Sequence, residues 1–156
     1  MDAATFAAVF IALYVAHSVG DHWIQTSHQA AAKGQNDGAG RRACAAHVLT
    51  LTAMKVACLG FAEVALSLPV TALGAFIGLA VDAASHYWAD RRTTLAKLAK
   101  LTGKAEFHSL GTGTHPAAPV TAEGGPAAHL GTGAYALDQS WHHLWLLVAA
   151  LLITLI

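Results

Sequence analysis

Residues 3–25 decide the fold, and they read AATFAAVFIALYVAHSVGDHWIQ. Ala, Leu, Val and Phe dominate this run without the apolar–polar alternation of a strand. As a helix the run is roughly 30 Å long, which matches the hydrocarbon core of a bilayer. The sequence therefore predicts a membrane-spanning helix over this segment.

Three further apolar segments of similar length follow, at residues 43–68, 70–90 and 134–156. Pro69 separates the first two of them, where a tight turn between helices needs a helix breaker. We therefore predict an all-α protein, an integral membrane four-helix bundle with up-down-up-down topology, as a single transmembrane domain over residues 1–156. A soluble bundle with unusually apolar helices is the alternative.

The composition of the chain supports a membrane location. Hydrophobic residues make up 55% of the chain and charged residues 12%, against about 25% charged residues in typical soluble domains. Nine basic residues balance nine acidic ones, and no C-x-x-C or helix-turn-helix pattern occurs, so we expect no nucleic-acid partner. Two cysteines are too few for a secreted domain built on disulfides. Membrane lipids are the expected surroundings.

The basic residues outside the apolar segments indicate the orientation. They lie in the first and third connections, and they are Lys33, Arg41, Arg42, Arg91, Arg92, Lys97, Lys100 and Lys104. Positively charged loops stay on the cytoplasmic side of a membrane. We therefore expect a multi-pass membrane protein with these two connections in the cytoplasm and both termini outside.

The connection between the third and fourth segments, residues 91–133, is long. Residues 93–110 combine leucines with three lysines in a basic amphipathic stretch. This stretch either lies on anionic lipid headgroups or extends the third helix into solvent. The rest of the connection is rich in Gly and Pro, which predicts an irregular cytoplasmic loop.

Histidine and aspartate interrupt the apolar segments near one end of each. In three segments they are spaced by four residues, so they share a helical face. These residues are His17 and Asp21; Asp82, His86 and Asp90; and Asp138 and His142. His47 lies near the start of the second segment. Because successive helices run antiparallel, all of these side chains are expected at the cytoplasmic edge of the bundle.

Such a convergence predicts a metal site. An isolated carboxylate inside a bilayer is costly, and a divalent ion compensates its charge. Imidazole and carboxylate ligands suit zinc, iron or manganese better than calcium, and zinc is the first choice. The predicted ligands are His17, Asp21, His47, Asp82, His86 and His142. A hydrogen-bonded His–Asp network is the structural alternative, and Lys55 is the expected counter-ion of a site carboxylate.

Four motifs carry a resemblance to a known family. They are HSVGDHWIQ at residues 17–25, CAAH at 44–47, HYWADRR at 86–92 and GTGAYALDQSWH at 131–142. In this combination the chain resembles the small polytopic bacterial membrane proteins catalogued as domain of unknown function 3307, except in the Gly/Pro-rich loop. The resemblance implies an integral location in the bacterial inner membrane and no particular reaction. A fainter likeness, in the placement of His and Asp near helix ends, is to inner-membrane metal-dependent hydrolases.

The leading functional hypothesis is metal-dependent hydrolysis of an amphiphilic or lipid-linked substrate. A metal-bound water, its pKa lowered towards neutrality, is the expected nucleophile, and Asp90 or Asp138 is the expected catalytic base. A divalent metal cation transporter is the first alternative. The others are a metal-binding membrane protein without catalysis, a haem or di-iron redox protein, and a scaffold protein. The substrate, the number of metals and assembly into a homo-oligomer stay open at this point.

Overall fold

A computed structural model describes residues 2–112 and 132–156, and the regular secondary structure of these residues is helical. The all-α prediction is confirmed. The elements are α1 (Ala3–Val19), a π-helical turn that continues it (Gly20–Ile24), α2 (Ser27–Ala32), α3 (Gly38–Leu66), α4 (Ala72–Asp90), α5 (Thr93–Leu101), α6 (Ala105–Ser109) and α7 (Gly133–Leu155). The long helices α1, α3, α4 and α7 correspond to the four predicted segments.

Polar side chains fix where the long helices begin. The residue before each helix accepts a hydrogen bond from the backbone N–H three residues on, and these residues are Asp2, Asp37, Thr71 and Thr132. Such caps satisfy donors that the first helical turn leaves unpaired. With Asp37 as its cap, α3 begins at Gly38 rather than at residue 43, although glycines occupy its first turn.

The four long helices pack around one apolar core. α1 contacts α3 and α7, and α4 also contacts both of these helices. The core side chains come from all four helices: Val9, Leu13, Leu59, Leu79, Leu146, Ala149, Ala150 and Ile153. Close packing gives each of these side chains many favourable dispersion contacts. The core thereby fixes the relative positions of the helices that carry the polar residues.

The helices α4 and α7 come especially close where α4 carries Gly74 and Gly78. A Cβ atom at Gly78 would lie 2.7 Å from the Ala149 carbonyl oxygen, and one at Gly74 would lie 2.8 Å from the Ile153 carbonyl oxygen. Glycines spaced by four residues are a common solution for tight contact between membrane helices. This contact fixes the position of α4 along the axis of α7, so that the polar residues of the two helices lie at the same level.

Two helical stretches, Ala3–Ile24 and Gly38–Leu66, are long and apolar enough to cross a membrane by length and composition. The other two predicted spans correspond to α4 and α7. Their mean hydropathy is lowered by the histidine and aspartate side chains that both helices carry at the same end of the bundle. The four-span membrane bundle therefore stays a prediction.

A short helix, α2, lies in the first connection, where the sequence indicated none. Its start is fixed by a capping box: the Gln29 backbone N–H donates to the Thr26 hydroxyl at 3.1 Å, and the Thr26 backbone N–H donates to the Gln29 side chain at 2.9 Å. The Arg92 guanidinium donates to the Ala30 carbonyl oxygen at 2.7 Å. The first connection is thereby held against the C-terminal end of α4.

The predicted amphipathic stretch at residues 93–110 contains α5 and α6. Helix α5 buries Leu95 and Ala99 against the rest of the protein and exposes Lys97 to the outside. It is therefore a packed part of the fold with a basic outer face. The predicted Gly/Pro-rich loop falls mostly on residues 113–131, which lie outside the described residues.

Candidate metal centre

Histidine and aspartate side chains from the four long helices meet at one end of the bundle. The end is formed by the last turns of α1 and α4 and the first turns of α3 and α7. The side chains are His17, Asp21, His47, His86, Asp90, Asp138 and His142. The four histidines are at most 2% exposed. We call these seven residues the His/Asp cluster.

The π-helical turn after α1 positions Asp21 in the cluster. Gly20 opens this turn against α3, where a Cβ atom would lie 2.1 Å from Leu51 Cδ1. The close approach of the two helices brings Asp21 Oδ1 to 3.0 Å from His47 Nε2. Single π-helical turns within α-helices are frequent at functional sites.

Two histidines and two aspartates form the centre of the cluster, and we refer to His47, His86, Asp21 and Asp90 as the central set. The Nε2 atoms of the two histidines are 3.1 Å apart. His47 Nε2 lies 3.0 Å from Asp21 Oδ1 and 3.4 Å from Asp90 Oδ2. His86 Nε2 lies 3.6 and 3.2 Å from the same two oxygens. Ligands about 2.0–2.1 Å from a tetrahedral ion are roughly 3.4 Å from one another, so these donor atoms have the spacing of a coordination shell.

The other carboxylate oxygens connect the central set to the rest of the cluster. Asp21 Oδ2 lies 3.6 Å from His17 Nε2. Asp90 Oδ1 lies 3.9 Å from His142 Nε2, which in turn lies 3.4 Å from Asp138 Oδ1. Three groups of ligand atoms within 4.8 Å of one another result: His17, Asp21 and His86; His47, His86 and Asp90; and Asp90, Asp138 and His142. The first two groups share His86 and the last two share Asp90, so the cluster has the donors for one ion or for two ions bridged by the Asp90 carboxylate.

Four buried atoms of the cluster make no hydrogen bond of good geometry among the described residues, although two of them lie 3.0 and 3.2 Å from an imidazole nitrogen: Asp21 Oδ1, Asp90 Oδ2, His17 Nε2 and His142 Nε2. A buried polar atom without a partner costs about 1–3 kcal/mol. A bound cation would satisfy these atoms together, and their mixture of imidazole nitrogen and carboxylate oxygen fits zinc, iron or manganese. The Nδ1 atoms of His47 and His86 also lack partners in the described part of the chain, so packing orients these two rings.

Asp82 lies apart from the cluster, although it shares the helical face of His86. Its Oδ2 is 2.5 Å from Lys55 Nζ, and Lys55 is fully buried. Lys55 is therefore the counter-ion of a carboxylate, as its depth in the second segment indicated. The predicted role of Asp82 as a metal ligand is corrected to a role in this ion pair, because its charge is already balanced and the three ligand groups of the described residues do not include it.

Lys33 is the residue of the site that the sequence did not reveal. Its Nζ lies 2.8 Å from Asp90 Oδ1, and the residue is only 9% exposed. The Arg91 guanidinium holds it there by donating a hydrogen bond to the Lys33 carbonyl oxygen at 2.6 Å. Lys33 precedes α3 in a connection without apolar periodicity. The signal that the sequence offered was its positive charge, which indicated a cytoplasmic loop.

A cavity of about 610 Å³ opens beside the cluster. The cluster residues Asp21, Asp90 and Asp138 form part of its lining, and Lys33 lines it as well. The lining also includes His22, Arg92, Leu95, Tyr135 and Gln139. Three carboxylates of the cluster are therefore accessible from this cavity.

The other described histidines, which are His22, His28, His108 and His143, lie outside the three ligand groups. The His143 ring lies 6.1 Å from the His17 ring, centroid to centroid. His22 and His108 line the cavity, and His28 is exposed on α2. His115 and His129 lie outside the described residues. The groups of described residues that could hold a metal ion thus all lie in the His/Asp cluster.

Comparison with known families assigns the chain to one of them. The family described as a protein of unknown function (DUF3307) matches residues 9–156, a range that contains the whole His/Asp cluster. Comparisons with curated proteins and with solved structures find no significant match. The chain therefore belongs to the DUF3307 family of proteins of unknown function.

Proposed function

We propose that this protein is a membrane-embedded, metal-dependent hydrolase that acts on an amphiphilic or lipid-linked substrate at the cytoplasmic edge of the bilayer. One observation carries the proposal: buried imidazole and carboxylate donors lie at coordination distances from one another, and three of the carboxylates line a cavity of about 610 Å³. Convergent polar groups in a cavity are the usual feature of an active site. The family has no assigned reaction, so the proposal depends on the site itself.

The surface of the long helices supports a bilayer location. Helix α1 with its π-helical turn, and helix α3, are long and apolar enough to span it. Large exposed apolar side chains lie along α1, α3 and α4, among them Ile11, Phe61, Val64 and Phe76. Exposed apolar surface of this kind favours contact with lipid. The cluster residues of α4 and α7 lie inside the bundle, where polar groups of membrane helices are normally found.

The charges of the connections predict that both termini lie outside the cytoplasm. In a background of Cys44→Ser and Cys58→Ser, the variants Gly38→Cys and Gly124→Cys should react with a membrane-permeant maleimide and not with an impermeant one in intact cells. Ser67→Cys, between α3 and α4, should react with both reagents. Labelling of Gly38→Cys by the impermeant reagent would overturn this orientation.

The two aspartates proposed as bases differ in their surroundings. Asp138 has a side chain that is 25% exposed and lines the cavity, which makes it the better placed catalytic base. Asp90 is 1% exposed and paired with Lys33, and it belongs to two of the three ligand groups. We therefore assign Asp90 to the ligands. A divalent ion on the central set would lower the pKa of a bound water and polarise the ester bond.

In the proposed hydrolysis, a water oxygen forms a bond to the carbon or phosphorus of the ester while the Asp138 carboxylate takes its proton. The bond to the leaving oxygen breaks with its electron pair, and that oxygen takes the proton from Asp138. The Gln139 side-chain amide lies 3.4 Å from Asp138 Oδ2 and 3.5 Å from Asp21 Oδ2. Its N–H groups are thus placed to orient both carboxylates.

A cation transporter fits the structure less well. Transport requires polar groups that continue from the site towards the opposite face of the membrane. The polar groups of Lys55 and Asp82 lie deeper in the bundle than the cluster, but they neutralise each other. The core of the bundle consists of apolar side chains such as Leu13 and Leu146. The described residues therefore form a site at one end of the bundle rather than a path through it.

Hydrolysis by the purified protein in lipid nanodiscs tests the proposal. We expect Zn²⁺, Mn²⁺ or Fe²⁺ to stimulate cleavage of chromogenic esters and phosphoesters that carry a long alkyl tail, and a chelator to abolish it. Asp138→Asn should lower kcat about 10²–10⁴-fold, the usual contribution of a general base, with little change in KM. Glu63→Gln, which alters an exposed carboxylate of α3, should retain full activity. Metal-loaded protein that cleaves none of these substrates would refute the hydrolase.

A further inference from the structure

We propose that the cavity binds a phosphorylated headgroup and that Lys33 is the residue that recognises the phosphate. This inference rests on the proposed hydrolase and names the class of its substrate, the phosphate ester of an alcohol with an apolar tail. Its grounds are the charges, the hydrogen-bond donors and the apolar surface around the cavity.

The charge of the cavity changes sign when a metal binds. Its lining contains the three carboxylates of Asp21, Asp90 and Asp138 and the two positively charged side chains of Lys33 and Arg92. Without a metal the carboxylates are in excess, and the cavity repels an anion. One divalent ion on the central set outweighs this excess. The cavity then attracts anions, and it attracts those with more than one charge most strongly.

Lys33 is held beside the ligands by contacts at both of its ends. Its Nζ lies 2.8 Å from Asp90 Oδ1, and its carbonyl oxygen accepts a hydrogen bond from Arg91. An ammonium group has three N–H donors. Asp90 uses one of them, which leaves the others for a ligand in the cavity. A metal that balances the charge of Asp90 weakens this ion pair and frees the ammonium group for a phosphate.

Arg92 is the second cationic side chain on the walls of the cavity. One of its N–H groups donates to the Ala30 carbonyl oxygen at 2.7 Å, and a guanidinium has five N–H donors, so others remain for a ligand. His22 and Tyr135 also line the cavity, but their ring nitrogen and hydroxyl bind each other at 3.0 Å. Phosphate oxygens are strong acceptors that Lys and Arg bind with particular preference. Two cationic side chains therefore favour a phosphate over a carboxylate, which has one charge and two oxygens.

A smaller, apolar cavity adjoins the first and offers room for the tail of the substrate. It has a volume of about 180 Å³ and shares Leu95 with the larger cavity. Its other apolar lining comes from α5 and α7, with Leu98, Leu137, Trp141 and Leu144. A headgroup beside the metal would therefore place an attached alkyl chain between α5 and α7. This arrangement selects an amphiphilic phosphate over inorganic phosphate.

The test measures binding of hexadecyl phosphate to the full chain, loaded with Zn²⁺ in phosphatidylcholine nanodiscs, with the zinc content of each sample determined. Wild-type protein should bind this probe at least about tenfold more tightly than inorganic phosphate, because the tail is buried. Lys33→Gln should weaken binding about tenfold to a hundredfold at unchanged zinc content, as expected for a lost charge-assisted hydrogen bond. Lys33→Arg should restore most of the affinity.

Two controls distinguish recognition of the phosphate by Lys33 from partitioning of the alkyl tail into lipid and from a nonspecific effect of positive charge. Hexadecanol, with the same tail and no phosphate, should not compete, and Lys100→Gln, which alters an exposed lysine of α5, should bind like wild type. Absence of zinc from the wild-type protein would overturn the metal site and the hydrolase with it. If Lys33→Gln holds its full content of zinc and binds hexadecyl phosphate as tightly as wild type does, only the proposed role of Lys33 is overturned. Equally tight binding of inorganic phosphate would overturn the amphiphilic class.

Discussion

The His86→Ala protein is expected to lose nearly all of its bound divalent metal. His86 contributes to two of the three groups of ligand atoms. Its Nε2 lies within 3.6 Å of one imidazole nitrogen and two carboxylate oxygens. Loss of a hydrogen-bond partner of a ligating histidine already lowers metal affinity about 10–100-fold, so loss of the ligand itself should lower it further. Elemental analysis of the detergent-purified protein measures the effect.

Two variants distinguish loss of the site from loss of the fold. His28→Ala removes an exposed histidine and should keep the full metal content. Asp82→Asn leaves Lys55 buried without its partner and should lower the free energy of unfolding by about 3–5 kcal/mol, while the protein that remains folded keeps its metal. Wild-type metal content in His86→Ala would contradict the metal centre and favour a hydrogen-bonded His–Asp network.

The melting temperature of the metal-loaded protein is expected to fall on acidification. Metal binding requires neutral imidazole and ionised carboxylate, so protons compete with the metal. Free histidine titrates near pH 6.5, and a coordinated one resists protonation until below that value, so release is expected between about pH 6 and pH 5. The stability that binding adds by mass action is lost in the same window. A chelator at neutral pH should lower the melting temperature in the same way.

A His–Asp network without metal differs from the metal centre in its response to a chelator. Such a network has no bound ion to lose, so a chelator at neutral pH should leave its melting temperature unchanged. A melting temperature that is the same with and without a chelator would refute the metal centre and the hydrolase.

The spacing of histidine and aspartate predicted most of the cluster because it is a local property of a helix. His17 and Asp21, for example, share a face however the helices pack, and the antiparallel order of the segments brings such faces to one end. The same reasoning misplaced Asp82, which shares a face with His86. Periodicity shows which residues share a helical face. It does not show which of them contacts the other ligands and which contacts a lysine of a neighbouring helix.

The position of Lys33 could not be predicted because it depends on tertiary contacts. The connection that carries it has no apolar period, and it is held against α4 by hydrogen bonds from Arg91 and Arg92 to backbone carbonyl groups. Every residue has a backbone carbonyl group, so the sequence does not show which of these groups will accept a hydrogen bond. The early start of α3 was missed for a related reason, since one capping side chain, Asp37, outweighs the low helix propensity of the glycines that follow it.

The buried pair of Lys55 and Asp82 has a consequence for how the chain would enter a membrane. Lys55 lies in α3 and Asp82 in α4, and a short turn around Pro69 joins the two helices. A lone lysine or aspartate at the centre of a spanning helix costs about 2.5–3.5 kcal/mol on insertion, so each helix by itself inserts poorly. As a hairpin the two helices carry a neutral pair. They are therefore expected to leave the translocon together rather than one after the other.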